Sequence, residues 1–182
     1  MECHPGIGSE ATGAMIFDPR EICRALNDED VAYVLIGGFA AAVHGSPLPT
    51  TDIDIVPQRA DKNLERLARA LVRLGAKIRT DTGPVPTRID AAFLSSMPFM
   101  LNLVTDYGDV DLTFEPAGPA TTFEAWNARA SDIAIAPAIV VRVAALHDVI
   151  ASKRAAGRPK DIAALPYLES LAEERDNDNA DG

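Results

Sequence analysis

A chain of 182 residues, 47% hydrophobic and 24% charged, has the proportions of one soluble globular domain, long enough to fold without disulfides or structural metal. Two cysteines, Cys3 and Cys23, are too few for a disulfide framework or a zinc cluster; no apolar run has the length of a membrane span, and the first 30 residues carry acids where a signal peptide carries a basic start. The expected setting is therefore the cytoplasm, with no membrane partner. The net charge of −10 argues against a polyanionic ligand only until it is distributed: residues 1–30 hold seven acids and two bases, residues 169–182 hold six acids and one base, and 31–168 is neutral.

Residues 1–16, with Gly6, Gly8 and Gly13 and no periodicity, read as a flexible leader; 17–175 as the folded domain; 176–182 as a disordered acidic tail. Asp18-Pro19 offers a cap and a first-turn proline for a helix carried by Ile22, Ala25 and Leu26. Val31 to Ile36 is a buried-strand pattern stopped by Gly37-Gly38, and a short helix from Phe39 to His44 ends at Gly45. After Ser46-Pro47-Leu48-Pro49 comes a strand through Thr51 to Val56. Asp61 is the expected cap of an amphipathic helix with Leu64, Leu67, Leu71 and Leu74 on its apolar face, ending at Gly75. A brief strand at 76–79 leads to a loop with Pro84 and Pro86. Strands are expected at 99–105 and 109–114, a helix at 123–130, strands at 133–135 and 139–142, and closing helices at about 144–156 and 159–174. Helices alternating with strands of both hairpin and crossover type give an α/β fold on a mixed sheet.

The chemistry concentrates in Leu35 to Val56. Gly37 and Gly38, with no side chains, would let a phosphate approach backbone amides at the start of the next helix. There is no GxGxxG dinucleotide fingerprint and no GxxxxGK[ST] P-loop. Asp52 and Asp54 lie two apart on an otherwise apolar strand, so their carboxylates share one face. Buried like charges this close are costly without a cation between them, and hard divalent ions prefer such oxygen donors. A second pair, Asp109 and Asp111, repeats the alternation on a later strand. If the two strands are neighbours, Asp111 supplies a third carboxylate for displacement chemistry at phosphorus. His44 reads as a helix-end structural histidine, and Trp126 and Tyr167, being isolated, as core aromatics.

Gly37-Gly38, His44-Gly45 and Thr50-Thr51-Asp52-Ile53-Asp54 resemble the signature of the nucleotidyltransferase superfamily with the polymerase-beta-like fold, in particular its minimal bacterial and AbiEii-like type IV toxin–antitoxin members. Asp111, Ile150-Ala151-Ser152-Lys153 and Gly157-Arg158-Pro159-Lys160-Asp161 extend the resemblance over roughly 31–168. It implies a mixed sheet flanked by helices, with C-terminal helices, and an enzyme that transfers NMP from an NTP to an acceptor hydroxyl on an RNA 3′ end such as tRNA, on a protein or on a small molecule. It also implies Mg²⁺ or Mn²⁺ on Asp52, Asp54 and Asp111, triphosphate contacts from Gly37, Gly38, Lys153, Lys160 and Asp161, catalytic roles for the three aspartates and Lys153, and a cognate antitoxin as partner. The alternative is a catalytically inactive binding module of the same fold, an antitoxin or nucleotide sensor. For RNA, residues 142–160, with five bases and one acid, are the expected docking surface.

Overall fold

A computed structural model describes residues 17–180; the leader expected at 1–16 and the last two residues lie outside that range. Among the described residues the chain forms seven helices and eight strands in one mixed sheet of order β4-β3-β5-β6-β2-β1-β8-β7. Helix α1 (Pro19–Asp28) opens on the Asp18 cap, whose carboxylate accepts from Arg20 N at 3.1 Å. β1 (Tyr33–Ile36) runs straight into α2 (Gly37–Val43), so the short helix begins at the first glycine rather than at Phe39. β2 (Asp52–Pro57) returns antiparallel to β1, and α3 (Asp61–Arg73) follows with Ala60, not Asp61, at its cap. The buried Asn63 amide fixes this crossover by donating to Ala32 O and Gln58 O and accepting from Ala32 N.

β3 (Lys77–Thr80) is the brief strand expected there, but β4 (Gly83–Val85) pairs with it as an edge hairpin where the prolines suggested only a loop, and α4 (Ala91–Ser96), capped by Asp90, was not expected. β5 (Met100–Thr105) and β6 (Gly108–Thr113) form the central hairpin. β6 then pairs parallel with β2 in the register Asp52↔Asp109 and Asp54↔Asp111. α5 (Phe123–Asn127) buries Trp126 as expected, and β7 (Ser131–Ala136) and β8 (Ile139–Val143) complete the other edge, β8 running parallel to β1. Helices α6 (Leu146–Ala156) and α7 (Pro159–Ala180) pack on each other, and α6 packs on α2.

The alternation in β2 and β6 sorts side chains onto two faces. Ile53, Ile55, Val110 and Leu112 are wholly buried in the main core, and the aspartates between them point to the side that α2, α6 and α7 cover. Helix α7 continues to Ala180, so residues 176–180, expected as tail, are helical: one helix carries the chain past the last core residue, Ala172. Tyr167 departs from expectation in the other direction, at 57% exposed and outside the core. No helix of the described chain is long and apolar enough to cross a membrane.

Candidate active site

The site is built where two parallel strands place their carboxylates side by side. Asp52, Asp54 and Asp111 each offer an oxygen, and the three oxygens lie within 4.8 Å of one another. Strand geometry alone sets i and i+2 about 6.6–6.8 Å apart and the adjacent strand about 4.8 Å away, so the side chains converge toward one point. The separation of 57 residues between Asp54 and Asp111 is closed entirely by the β2–β6 pairing.

The cluster is electrostatically incomplete. Burial, reinforced by the charges of Asp52 and Asp111, pushes the Asp54 carboxyl up to about 6, although the Gly38 N–H bonds to it and Lys160 attracts it. Asp111 is also raised, again by burial first, with Arg79 opposing the shift. Three hard oxygen donors and a shortage of positive charge fit a divalent cation of the Mg²⁺ or Mn²⁺ type, so the residues present match the ion that the sequence implied.

Neighbouring residues hold the acids in place. Thr50 Oγ1 donates to Asp52 Oδ1 at 2.7 Å. Gly37 has a φ of +68°, and a Cβ there would fall on Oδ2 of Asp54. The close approach of the loop to the acidic strand thus requires glycine at 37, while a Cβ at Gly38 would lie 2.7 Å from Thr50 Oγ1 and displace the hydroxyl that holds Asp52. The sequence reading missed Arg79: from β3 its Nη2 reaches Asp111 Oδ1 at 2.8 Å and Oδ2 at 3.0 Å, and its Nη1 pairs with Asp109. No local motif announces it, because β5 separates its strand from β6.

On the opposite wall Asp161 is 0% exposed and takes Lys153 Nζ at 3.1 Å and Arg158 Nε at 2.5 Å. Burial works against its charge, but the hydrogen bonds from Arg158 and Lys153 outweigh it and hold the carboxyl below the usual carboxylate range. Gly157, at φ +62°, ends α6 and turns the chain into α7, which lets the lysine of one helix meet the aspartate of the next. Gly37, Gly38, Asp52, Asp54, Asp111, Lys153 and Lys160 all line one cavity of about 780 Å³. The fully buried Asp161 stands behind that wall rather than in it.

One expectation changes here and another is kept. Of the five bases in 142–160, Arg142 pairs with Asp132, Arg154 with Glu169, and Lys153 and Arg158 with Asp161; among the described residues only Lys160 has no ion pair. The stretch is mostly spent on internal pairing and is not an open cationic surface. His44 is structural, as read: its Nε2 donates to Ala144 O at 2.7 Å while Nδ1 accepts from Arg175 at 2.6 Å. Burial, with the Arg175 charge, lowers its pKa despite the Ala144 bond.

Strand, glycine turn, helix and a three-aspartate face on adjacent parallel strands define a nucleotidyltransferase fold, and solved structures agree. The crystal structure of ANT(2″)-Ia in complex with adenylyl-2″-tobramycin aligns with a TM-score of 0.54 and 15% identity over 85% of this chain and 88% of that one. The solution structure of the same antibiotic-resistance factor gives 0.51 and 16% over 88% and 90%. A Thermotoga maritima protein, TM1012, aligns at 0.47 and 16% over 87% of this chain and 90% of that one. No curated protein matches in sequence. The family model "Nucleotidyl transferase AbiEii toxin, Type IV TA system" matches residues 22–162, and the chain belongs to that family of nucleotidyltransferases.

Proposed function

We propose that the chain transfers a nucleoside monophosphate from an NTP to an acceptor hydroxyl, with release of pyrophosphate, and acts as the toxin of a type IV pair in the cytoplasm. The observation that carries this reading is the convergence of Asp52, Asp54 and Asp111 at the foot of a cavity that also holds Gly37-Gly38 and Lys160. Asp52 and Asp54 would hold Mg²⁺ or Mn²⁺, with Asp111 as third oxygen donor. The ion, when bound, withdraws charge from the phosphate under attack.

The chain's own groups do the rest. The Gly37-Gly38 backbone accepts the phosphate chain at close range, and Lys160, the cavity cation without an ion pair among the described residues, offsets its charge. Lys153 reaches the cavity in a position fixed by Asp161. The acceptor oxygen forms a bond to the α-phosphorus as the bond from that phosphorus to the bridging oxygen breaks, and pyrophosphate leaves with the electron pair. The hydroxyl proton passes to an oxygen of Asp111, which Arg79 keeps oriented.

The test is incubation with Mg²⁺ or Mn²⁺ and each α-labelled NTP, offering total tRNA, the protein itself, a partner protein and an aminoglycoside as acceptors. Label transfer to one of these that disappears in Asp52→Ala and Asp54→Ala supports the enzyme and names the acceptor. Absence of transfer to all of them, with nucleotide binding indifferent to both aspartates, overturns it in favour of a binding module.

A further inference from the structure

Helix α7 presents one stripe to the cavity: Lys160, Ala163, Ala164, Tyr167 and Leu168, spaced i, i+3, i+4, i+7 and i+8. The stripe is graded. Lys160 stands at the acidic end, where its charge acts on Asp54. Two alanines leave the middle of the helix surface low. Tyr167 closes the far end with 57% of its surface exposed, and its hydroxyl has no hydrogen-bond partner among the described residues. What sets this exposed aromatic apart from a scattered surface residue is that it lines the cavity of the active site, where it is placed to meet a ligand.

The cavity has apolar lining off α7 too. Leu48 and Pro49, in the turn between α2 and β2, line the same cavity. A Cβ at Gly45, at the start of that turn, would lie 3.8 Å from Leu171 Cδ1, one helical turn beyond Tyr167, which brings the turn and this part of α7 together. From Lys160 to Tyr167 the helix advances about 10 Å at 1.5 Å per residue. A ribose separates a phosphate chain from its base by a distance of that order, so one nucleotide can lie along α7 with its phosphates at Lys160 and its base at Tyr167.

We infer that Tyr167 is the nucleobase platform of this enzyme, with Leu48 and Pro49 adding apolar lining from the turn before β2. The inference rests on the proposed NTP reading of the site and adds to it where the base lies. The residues that flank Tyr167 on the cavity stripe of α7, Ala163, Ala164 and Leu168, offer no side-chain donor or acceptor to a base edge. Stacking and apolar contact therefore hold the base, a mode that every base face can satisfy.

The test is calorimetric binding of each of the four NTPs and of inorganic tripolyphosphate, with Ca²⁺ as the divalent ion, to the wild type, Tyr167→Ala, Tyr167→Phe and Lys160→Ala. Tyr167→Ala is expected to weaken the tightest-binding NTP at least about fivefold while tripolyphosphate stays within about twofold of wild type, and Tyr167→Phe to retain NTP affinity. Lys160→Ala is expected to weaken both ligands. Wild-type NTP affinity in Tyr167→Ala, or an equal loss for tripolyphosphate, overturns the platform and leaves the phosphate site standing. A wild type that binds neither ligand overturns both. Because Tyr167 is exposed, its variants are expected to melt with the wild type, which a thermal scan checks alongside.

Discussion

Two aspartates on facing walls of one cavity have opposite fates. Asp54, on the sheet, has like-charged neighbours and a carboxyl raised to about 6 by burial and those neighbours. Asp161, behind the helical wall, is buried as well, yet two cations hold it below the usual range. The same residue type serves two ends because its partners differ: the helical acid has both its counter-charges within the chain, whereas the sheet acids share one, Arg79, which pairs with Asp111 and Asp109 and not with Asp54. A cluster complete in itself fixes geometry, whereas one short of positive charge is a place for a ligand to enter.

That contrast can be broken from either side, and the largest effect lies with the helical acid. Asp161→Asn leaves Lys153 and Arg158 without their shared counter-charge and is expected to cost about 3–5 kcal/mol of stability, read by urea unfolding. A cost below about 1 kcal/mol would show that the pair is not structural. Asp54→Asn should do the reverse: it relieves like-charge crowding and raises the stability of the metal-free protein by about 1–3 kcal/mol, seen as a higher melting temperature, while label transfer falls at least about a hundredfold. Lower stability together with lost activity would mean that Asp54 is a structural acid.

Arg79→Ala sharpens the same point, since Arg79 is the cation that the sheet cluster does possess. Without it, Mn²⁺ titrated calorimetrically into the nucleotide-free protein should bind severalfold more tightly, because a competing positive charge is gone. Weaker Mn²⁺ binding would assign Arg79 to holding the cluster's shape instead.

The smallest expected effect belongs to His44, where burial lowers the folded pKa below the ordinary 6.5. Between the two values the unfolded chain binds more protons, so stability rises with pH through that window and is flat above it. His44→Gln should remove this contribution, which the half-exposed ring keeps below about 1 kcal/mol, as the difference between two stability–pH curves. The difference is the quantity to read, because Asp54, raised in the folded state, contributes a slope of opposite sign between 3.8 and about 6. Identical curves would show that burial and the Arg175 charge do not hold His44 neutral.

Much of this site was legible because its pattern is local. Two carboxylates at i and i+2 in an apolar run declare a shared face before any fold is known, and Gly-Gly before a helix declares a close approach. The β2–β6 pairing that adds Asp111 was conditional in the sequence, since nothing in either strand names its neighbour. Arg79 was illegible for a stronger reason: it sits in the sequence Lys-Ile-Arg-Thr, an ordinary edge strand, and acts across the whole width of β5. Tyr167 was misread because an isolated aromatic is usually core, and only the tilt of α7 over the cavity tells which way it faces. The β4 hairpin and α4 were lost among prolines and short runs, where too few residues exist for a period to show.

The family match stops at residue 162, just after Asp161, but α7 runs on to Ala180. Every residue proposed to bind phosphate lies inside the shared portion, whereas Tyr167, Leu168 and Arg175 lie outside it. Belonging to the family thus vouches for the reaction and is silent on the letter transferred. If the base lies along α7, the residues of that helix that hold it sit past the family match, where a substitution changes nucleotide affinity without touching the three aspartates proposed as metal ligands.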